Sequence, residues 1–187
     1  MKTGKAFAIW ALSLTGLVAV CAACGRATGL RINATASAPT GLWIVKEIGV
    51  DGLDRGRLVE ICPPSVPVVD WMRDRGYLAA GGCDTNVAPL LKPVRAIAGD
   101  VIELQAGRPA MVNGRELPNT QTLSLLPVYP AGEYLVQPGE VWVFSSYSGG
   151  SFDSRYFGPV SVSHVRGIAT PLWVAGSLAA TTHREFQ

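Results

Sequence analysis

The chain has 187 residues, of which 48% are hydrophobic and 16% charged, with a net charge of +2. That balance excludes a disordered or solvating chain, and so small a net charge lacks the basic footprint of a nucleic-acid binder. With Gly 21 and Pro 13, many turns and short elements are expected, which favours one β-rich core over a helical bundle.

Residues Ala6 to Cys24, AFAIWALSLTGLVAVCAAC, form 19 positions without a charge, preceded by Lys2 and Lys5. A helix needs about 20 apolar residues to span a bilayer. Lys2, Lys5 and the amino terminus compete with Arg26 and Arg31 for the inner side, and the bias favours a cytoplasmic N-terminus with the rest exported. The alternatives are a cleaved signal peptide, with small residues near Ala22 and Ala23, or a lipoprotein site at Cys24. Cys21 and Cys24 lie inside the apolar run, so their C-x-x-C spacing is neither a redox nor a zinc motif. Cys62 and Cys83 lie in the body, where an oxidising compartment would let them pair; two separate buried thiols are the other reading.

Three segments are expected: an N-terminal membrane anchor or signal segment (1–30), one β-rich domain (31–175) and a polar tail (176–187) that holds His183. In the body, GLWIVK (Gly41 to Lys46), RLVEIC (Arg57 to Cys62), DVIELQ (Asp100 to Gln105) and EVWVFSS (Glu140 to Ser146) read as strands. Asn113-Gly114 is a strong hairpin signal. VVDWMRDRGYL (Val68 to Leu78) is the one predicted helix, ending near Gly76. His164, in SVSHVRG, is predicted to lie in a strand.

Several chemistries lack support. With two histidines and no H-E-x-x-H, a zinc hydrolase is not indicated, and no phosphate-binding glycine motif is present. No metal or cofactor is expected. A Ser–His–Asp arrangement through His164 and Asp153 stays open. Two other residues have the chemistry of a nucleophile and a base. Ser37, in NATASAPTGLW, has small neighbours that permit close approach of a substrate backbone. Lys92, in APLLKPVRAIAGD, sits in an apolar run, where desolvation favours the neutral amine and makes it a competent general base. Ser–Lys is a known nucleophile–base pairing.

Near the end, GGSFDSRYFGPV sets Asp153 and Arg155 among Phe152, Tyr156 and Phe157. Aromatics are mostly buried payload, and a buried charge needs a partner, so a buried Asp153–Arg155 pair is expected.

These stretches carry a resemblance. LLKPVRAIAGD, with Lys92 eight residues before Asp100, resembles the lysine box of type I signal peptidases. GSFDSRYFGPV resembles that family's last box, Asn-Ser-x-Asp-Ser-Arg-Tyr-(Phe/Trp)-Gly, and Val112 to Gly114 (VNG) is also typical. NATASAPTGLW, RGYLAAGGC and PLLK are similar to the branch of the family that serves conjugative plasmids. The resemblance implies a mainly β, signal-peptidase-like fold. It implies Ser37 as nucleophile, Lys92 as general base, Thr35 and the Ser37 N–H as oxyanion donors, Ser151 as a hydrogen-bond partner of the lysine, and Asp153 with a catalytic part beside Arg155.

The resemblance further implies partners: a pilin precursor as substrate, the inner membrane, and the conjugative type IV secretion machinery, with the site facing the periplasm. In that branch the pilin's own N-terminus can resolve the acyl-enzyme, giving a cyclic product. The chain departs from the family pattern at Pro93, where arginine is usual, at Ala98, where proline is usual, and at Gly150, where asparagine is usual. A general signal peptidase and a non-enzymatic assembly component of the conjugation machinery are the rival expectations.

Overall fold

Short β-rich runs broken by Gly and Pro fold by pairing with distant partners. The computed structural model describes residues 28–49 and 52–175, with helical positions 10, 12–16 and 20 of the N-terminal run and position 25 just after it. The rest of that run and the tail with His183 lie outside the described residues, and so do Cys21 and Cys24. No described helix is long and apolar enough to cross a membrane.

In chain order the strands are β1 (Leu30–Asn33), β2 (Gly41–Lys46), β3 (Leu58–Ile61), β4 (Leu90–Ala96), β5 (Val101–Leu104), β6 (Met111–Val112), β7 (Arg115–Glu116), β8 (Gly132–Leu135), β9 (Glu140–Val143), β10 (Val160–Ser161) and β11 (Val165–Val174). Helix α1 (Pro67–Asp74) separates β3 from β4, and a single turn, α2 (Ser154–Phe157), lies between β9 and β10. A seven-stranded antiparallel sheet has the order β1-β2-β11-β3-β4-β9-β10, and a four-stranded sheet has the order β7-β6-β5-β8. The last strand, β11, thus enters the middle of the large sheet between β2 and β3.

Strand β9 joins the two sheets because its side chains alternate. Val141 and Val143 enter the main core with Val59, Ile61, Val69 and Phe157. Trp142 and Phe144 enter a second core with Ile102 and Val112. A third, smaller cluster of Ala38, Trp43, Leu58 and Ala169 lies where the segment after β1 meets the sheet.

Helix α1 is shorter than predicted. Pro67 opens it, and Gly76, at φ +73°, closes it in a left-handed turn in which Tyr77 N–H reaches Met72 C=O. His164 is in a 3-10 turn (Val162–His164), not in a strand, because the Ser161 hydroxyl caps that turn by accepting from Ser163 N–H. The Asn113-Gly114 hairpin forms with both residues at positive φ, 52° and 73°, the geometry of a type I′ turn. Strands β1, β8 and β10 carry no clear pattern in the sequence and are made by their partners.

Cys62 and Cys83 form a disulfide with Cα atoms 5.5 Å apart. It fastens the segment between α1 and β4 to the end of β3.

Candidate active site

Lys92 sits on β4 directly opposite Val59 of β3. Alternation puts it on the main-core face of the sheet, and it is 3% exposed. Burial pushes its ammonium down from 10.5 to about 8; the charge of Asp153 opposes this and that of Arg155 adds to it. Its Nζ donates to Ser151 Oγ at 2.9 Å. Pro93, beside it, removes a donor from a central strand, yet its carbonyl still accepts from Phe144 N–H at 3.3 Å.

Asp153 and Arg155 are a fully buried pair. Asp153 caps α2. Its Oδ1 accepts from Arg155 Nε at 2.8 Å and Arg155 N–H at 3.3 Å. Its Oδ2 accepts from Arg155 Nη2 at 2.8 Å and Ser145 N–H at 3.0 Å. Arg155 also donates to the carbonyls of Ser151 at 2.8 Å and Gln121 at 2.9 Å. It therefore gathers the loop before Asp153 and the chain around residue 121. Phe152 stacks on Tyr156 and meets Phe157 edge-on, which closes water out of the pair. Gly158 follows at φ +75°, and a Cβ there would run into the Tyr129 ring.

Asp153 thus spends its acceptors on Arg155 and Ser145 and makes no hydrogen bond to Lys92 or Ser37. It acts on Lys92 through its charge and through the loop it holds. A Ser–His–Asp triad is not assembled: Asp153 is committed elsewhere, and among the described residues the buried Nδ1 of His164 has no partner.

Ser37 lies on the loop between β1 and β2. Asn33, buried at the end of β1, organises that loop. Its Nδ2 reaches the carbonyls of Thr35, Ala38 and Pro39, each at 3.0 Å. Its Oδ1 accepts from Thr35 N–H at 3.2 Å and Thr35 Oγ1 at 2.9 Å. Ser37 is half-buried and Thr35 exposed, with the two hydroxyls 3.2 Å apart. Among the described residues the Ser37 N–H has no hydrogen-bond partner. Ser37 Oγ makes no hydrogen bond to Lys92. The two halves meet one step away, where Ser145 Oγ donates to Ser37 C=O at 2.6 Å.

A model of the family described as "Signal peptidase, peptidase S26" matches residues 2–173. The chain belongs to that family. It is 40% identical over 150 residues to a probable conjugal transfer protein TraF of Sinorhizobium fredii, covering 75% of this chain and 75% of that protein. It is 34% identical over 157 residues to a plasmid transfer protein TraF of Escherichia coli, covering 81% of this chain and 86% of that one. A solved signal peptidase I from Enterococcus faecalis matches 66% of this chain and 100% of its own, at 18% identity and a TM-score of 0.38.

Family membership accounts for the lysine box and the last box but does not point to Asn33 or Ser145. Asn33 leaves a faint trace, an amide ahead of a Thr-Ala-Ser turn. Ser145 leaves none, because its partner lies 108 residues away. Asp100, the acid that follows the lysine box, spends its carboxylate on Arg55, Ile97 N–H and Asn113. Burial alone would raise its pKa, but hydrogen bonds from Arg55, Ile97 N–H and Asn113 outweigh that and hold it low. It ties the end of β4 to the second sheet.

Proposed function

We propose that this peptidase is a Ser37–Lys92 serine endopeptidase that matures a pilin precursor for conjugation. The carrying observation is the dry, weakly basic Lys92, fixed by Ser151 beside a buried ion pair that also reaches the Ser37 loop. An ammonium near 8 supplies neutral amine close to physiological pH.

In the proposed reaction Ser37 Oγ exchanges its Thr35 partner for Lys92, whose neutral Nζ takes the proton. Ser37 Oγ bonds to the scissile carbonyl carbon. Thr35 Oγ1 and the unengaged Ser37 N–H steady the oxyanion. The C–N bond then breaks, and the leaving nitrogen takes the proton from Lys92. The acyl-enzyme is resolved by water, giving a linear chain, or by the pilin's own N-terminal amine, giving a cyclic one.

The TraF names of the relatives support a conjugative substrate and contact with the type IV secretion machinery. The Cys62–Cys83 bond supports an oxidising compartment, consistent with a periplasmic site anchored in the inner membrane by the Ala6–Cys24 run, or a soluble periplasmic protein if that run is cleaved.

The test is pilin processing in cells carrying Ser37→Ala or Lys92→Arg. Both are expected to abolish it, Lys92→Arg because arginine stays protonated. Wild-type processing by folded Lys92→Arg protein would sink the reading. Intact mass of the pilin decides its product: a cyclic chain weighs one water less than the linear chain of the same residues. Processing of secreted preproteins in place of pilin would point to a general signal peptidase. Pilus assembly that survives Ser37→Ala would point to an assembly component.

A further inference from the structure

The loop that carries Ser37 is organised from within by Asn33, and its other ties run to β2 and the end of β11: Trp43 Nε1 donates to Pro39 C=O at 3.1 Å, and Ala175 N–H to Thr40 C=O at 2.8 Å. None of these ties reaches the strands that carry the lysine. Among the described residues, one hydrogen bond joins this loop to β9 and the last box, the one from Ser145 Oγ to Ser37 C=O.

Ser145 follows β9 by two residues and is fully buried. Its hydroxyl has a defined direction. Oγ accepts from Tyr147 N–H at 3.2 Å, so its single proton is left for Ser37 C=O. Its backbone N–H donates to Asp153 Oδ2 at 3.0 Å. One residue therefore holds the nucleophile's carbonyl with its side chain and the buried ion pair with its backbone. Arg155 then passes to Ser151 C=O, and Ser151 Oγ receives Lys92 Nζ. The Ser37 carbonyl fixes ψ at Ser37, and with it how the side chain and the N–H of that residue stand against the lysine.

We propose that Ser145 is a positioning residue for the nucleophile, setting the Ser37 loop in register with the Lys92 half of the site through its hydroxyl. This rests on the Ser37–Lys92 reading. It follows that the hydroxyl acts on the rate of acylation and not on the proton affinity of Lys92, whose neighbours Ser151, Asp153 and Arg155 are untouched by its removal.

The test is Ser145→Ala in the full-length protein in detergent, with 4-nitrophenyl acetate as acylating probe. Acyl-enzyme is followed by intact mass, with Ser37→Ala as the control for the site of labelling. Misplacing a reacting group by about 1 Å can cost about 100-fold. The limiting acylation rate is expected to fall about 10- to 100-fold, with KM within about twofold. The midpoint of the pH–rate curve should match wild type, and the thermal midpoint should drop by only a few degrees.

A purely structural Ser145 would lower the thermal midpoint and leave the rate of the folded protein unchanged, which would overturn the proposal. A shifted pH midpoint would overturn it too, since Ser145 would then act through Lys92. Failure of Ser145→Ala to fold would also count against it, because the residue would then be holding the fold. If wild type and Ser37→Ala are acylated alike, the Ser37–Lys92 reading falls and takes this proposal with it. If wild type is acylated at Ser37 and Ser145→Ala matches its rate, this proposal alone falls.

Discussion

The two halves of the site are built in opposite ways. The nucleophile half is a half-exposed loop of small residues, held mostly by one asparagine four residues before Ser37. The base half is buried and stitched together across the chain, Lys92 to Ser151 and Arg155 to Gln121 over 59 and 34 residues, with Asp153 to Ser145 a closer link. The difference follows from the proposed chemistry. A nucleophile must be open to a polypeptide, whereas a lysine base works only where water is kept away. Accessibility is obtained with small side chains and local hydrogen bonds, and dryness only by tertiary packing.

The largest expected effect lies in the base half. Arg155→Met leaves Asp153 buried without its partner, and should destabilise the fold by about 3–5 kcal/mol, read from denaturant unfolding. A loss well under 1 kcal/mol would mean the pair is not the organiser described above.

Lys92 gives a pH-dependent version of the same test. Its folded-state value, about 8, lies below its ordinary 10.5, so between those pH values the unfolded chain binds more protons. Stability should therefore rise with pH through that window, by about 3 kcal/mol. Lys92→Met should lack this rise and be at least as stable as wild type at pH 7. Peptidase activity should climb with a midpoint near 8. An activity midpoint at 10 or above would contradict a dry lysine.

Reduction of the Cys62–Cys83 bond, which joins residues 21 apart in the chain, should cost about 3 kcal/mol. The bond anchors the segment leading into β4, so hydrogen exchange should speed up first around residues 76–90. Equal protection there before and after reduction would remove the link to the lysine strand.

The smallest expected effect on stability belongs to the nucleophile half. Asn33→Ala should cost about 1–2 kcal/mol while lowering activity far more than stability, since the loop would lose its shape and not its anchorage in the sheet. A stability loss as large as that of Arg155→Met would erase the contrast between the halves.

Much of this was legible in the residues themselves. The apolar setting of Lys92 announced a desolvated amine, and aromatics around Asp153 and Arg155 announced a buried pair, because burial and charge pairing are demands that neighbouring side chains reveal. Asn113-Gly114 announced its turn through backbone conformation, also a local property. The tertiary structure decided what depends on distant partners. It made strands of β1, β8 and β10, and it placed β11 in the middle of the sheet. It gave Asp153 a second partner in Ser145 N–H. It brought Ser145 to the carbonyl of Ser37. A hydrogen bond between residues 108 apart leaves no periodicity, spacing or composition behind, because its geometry exists only once both segments are in place.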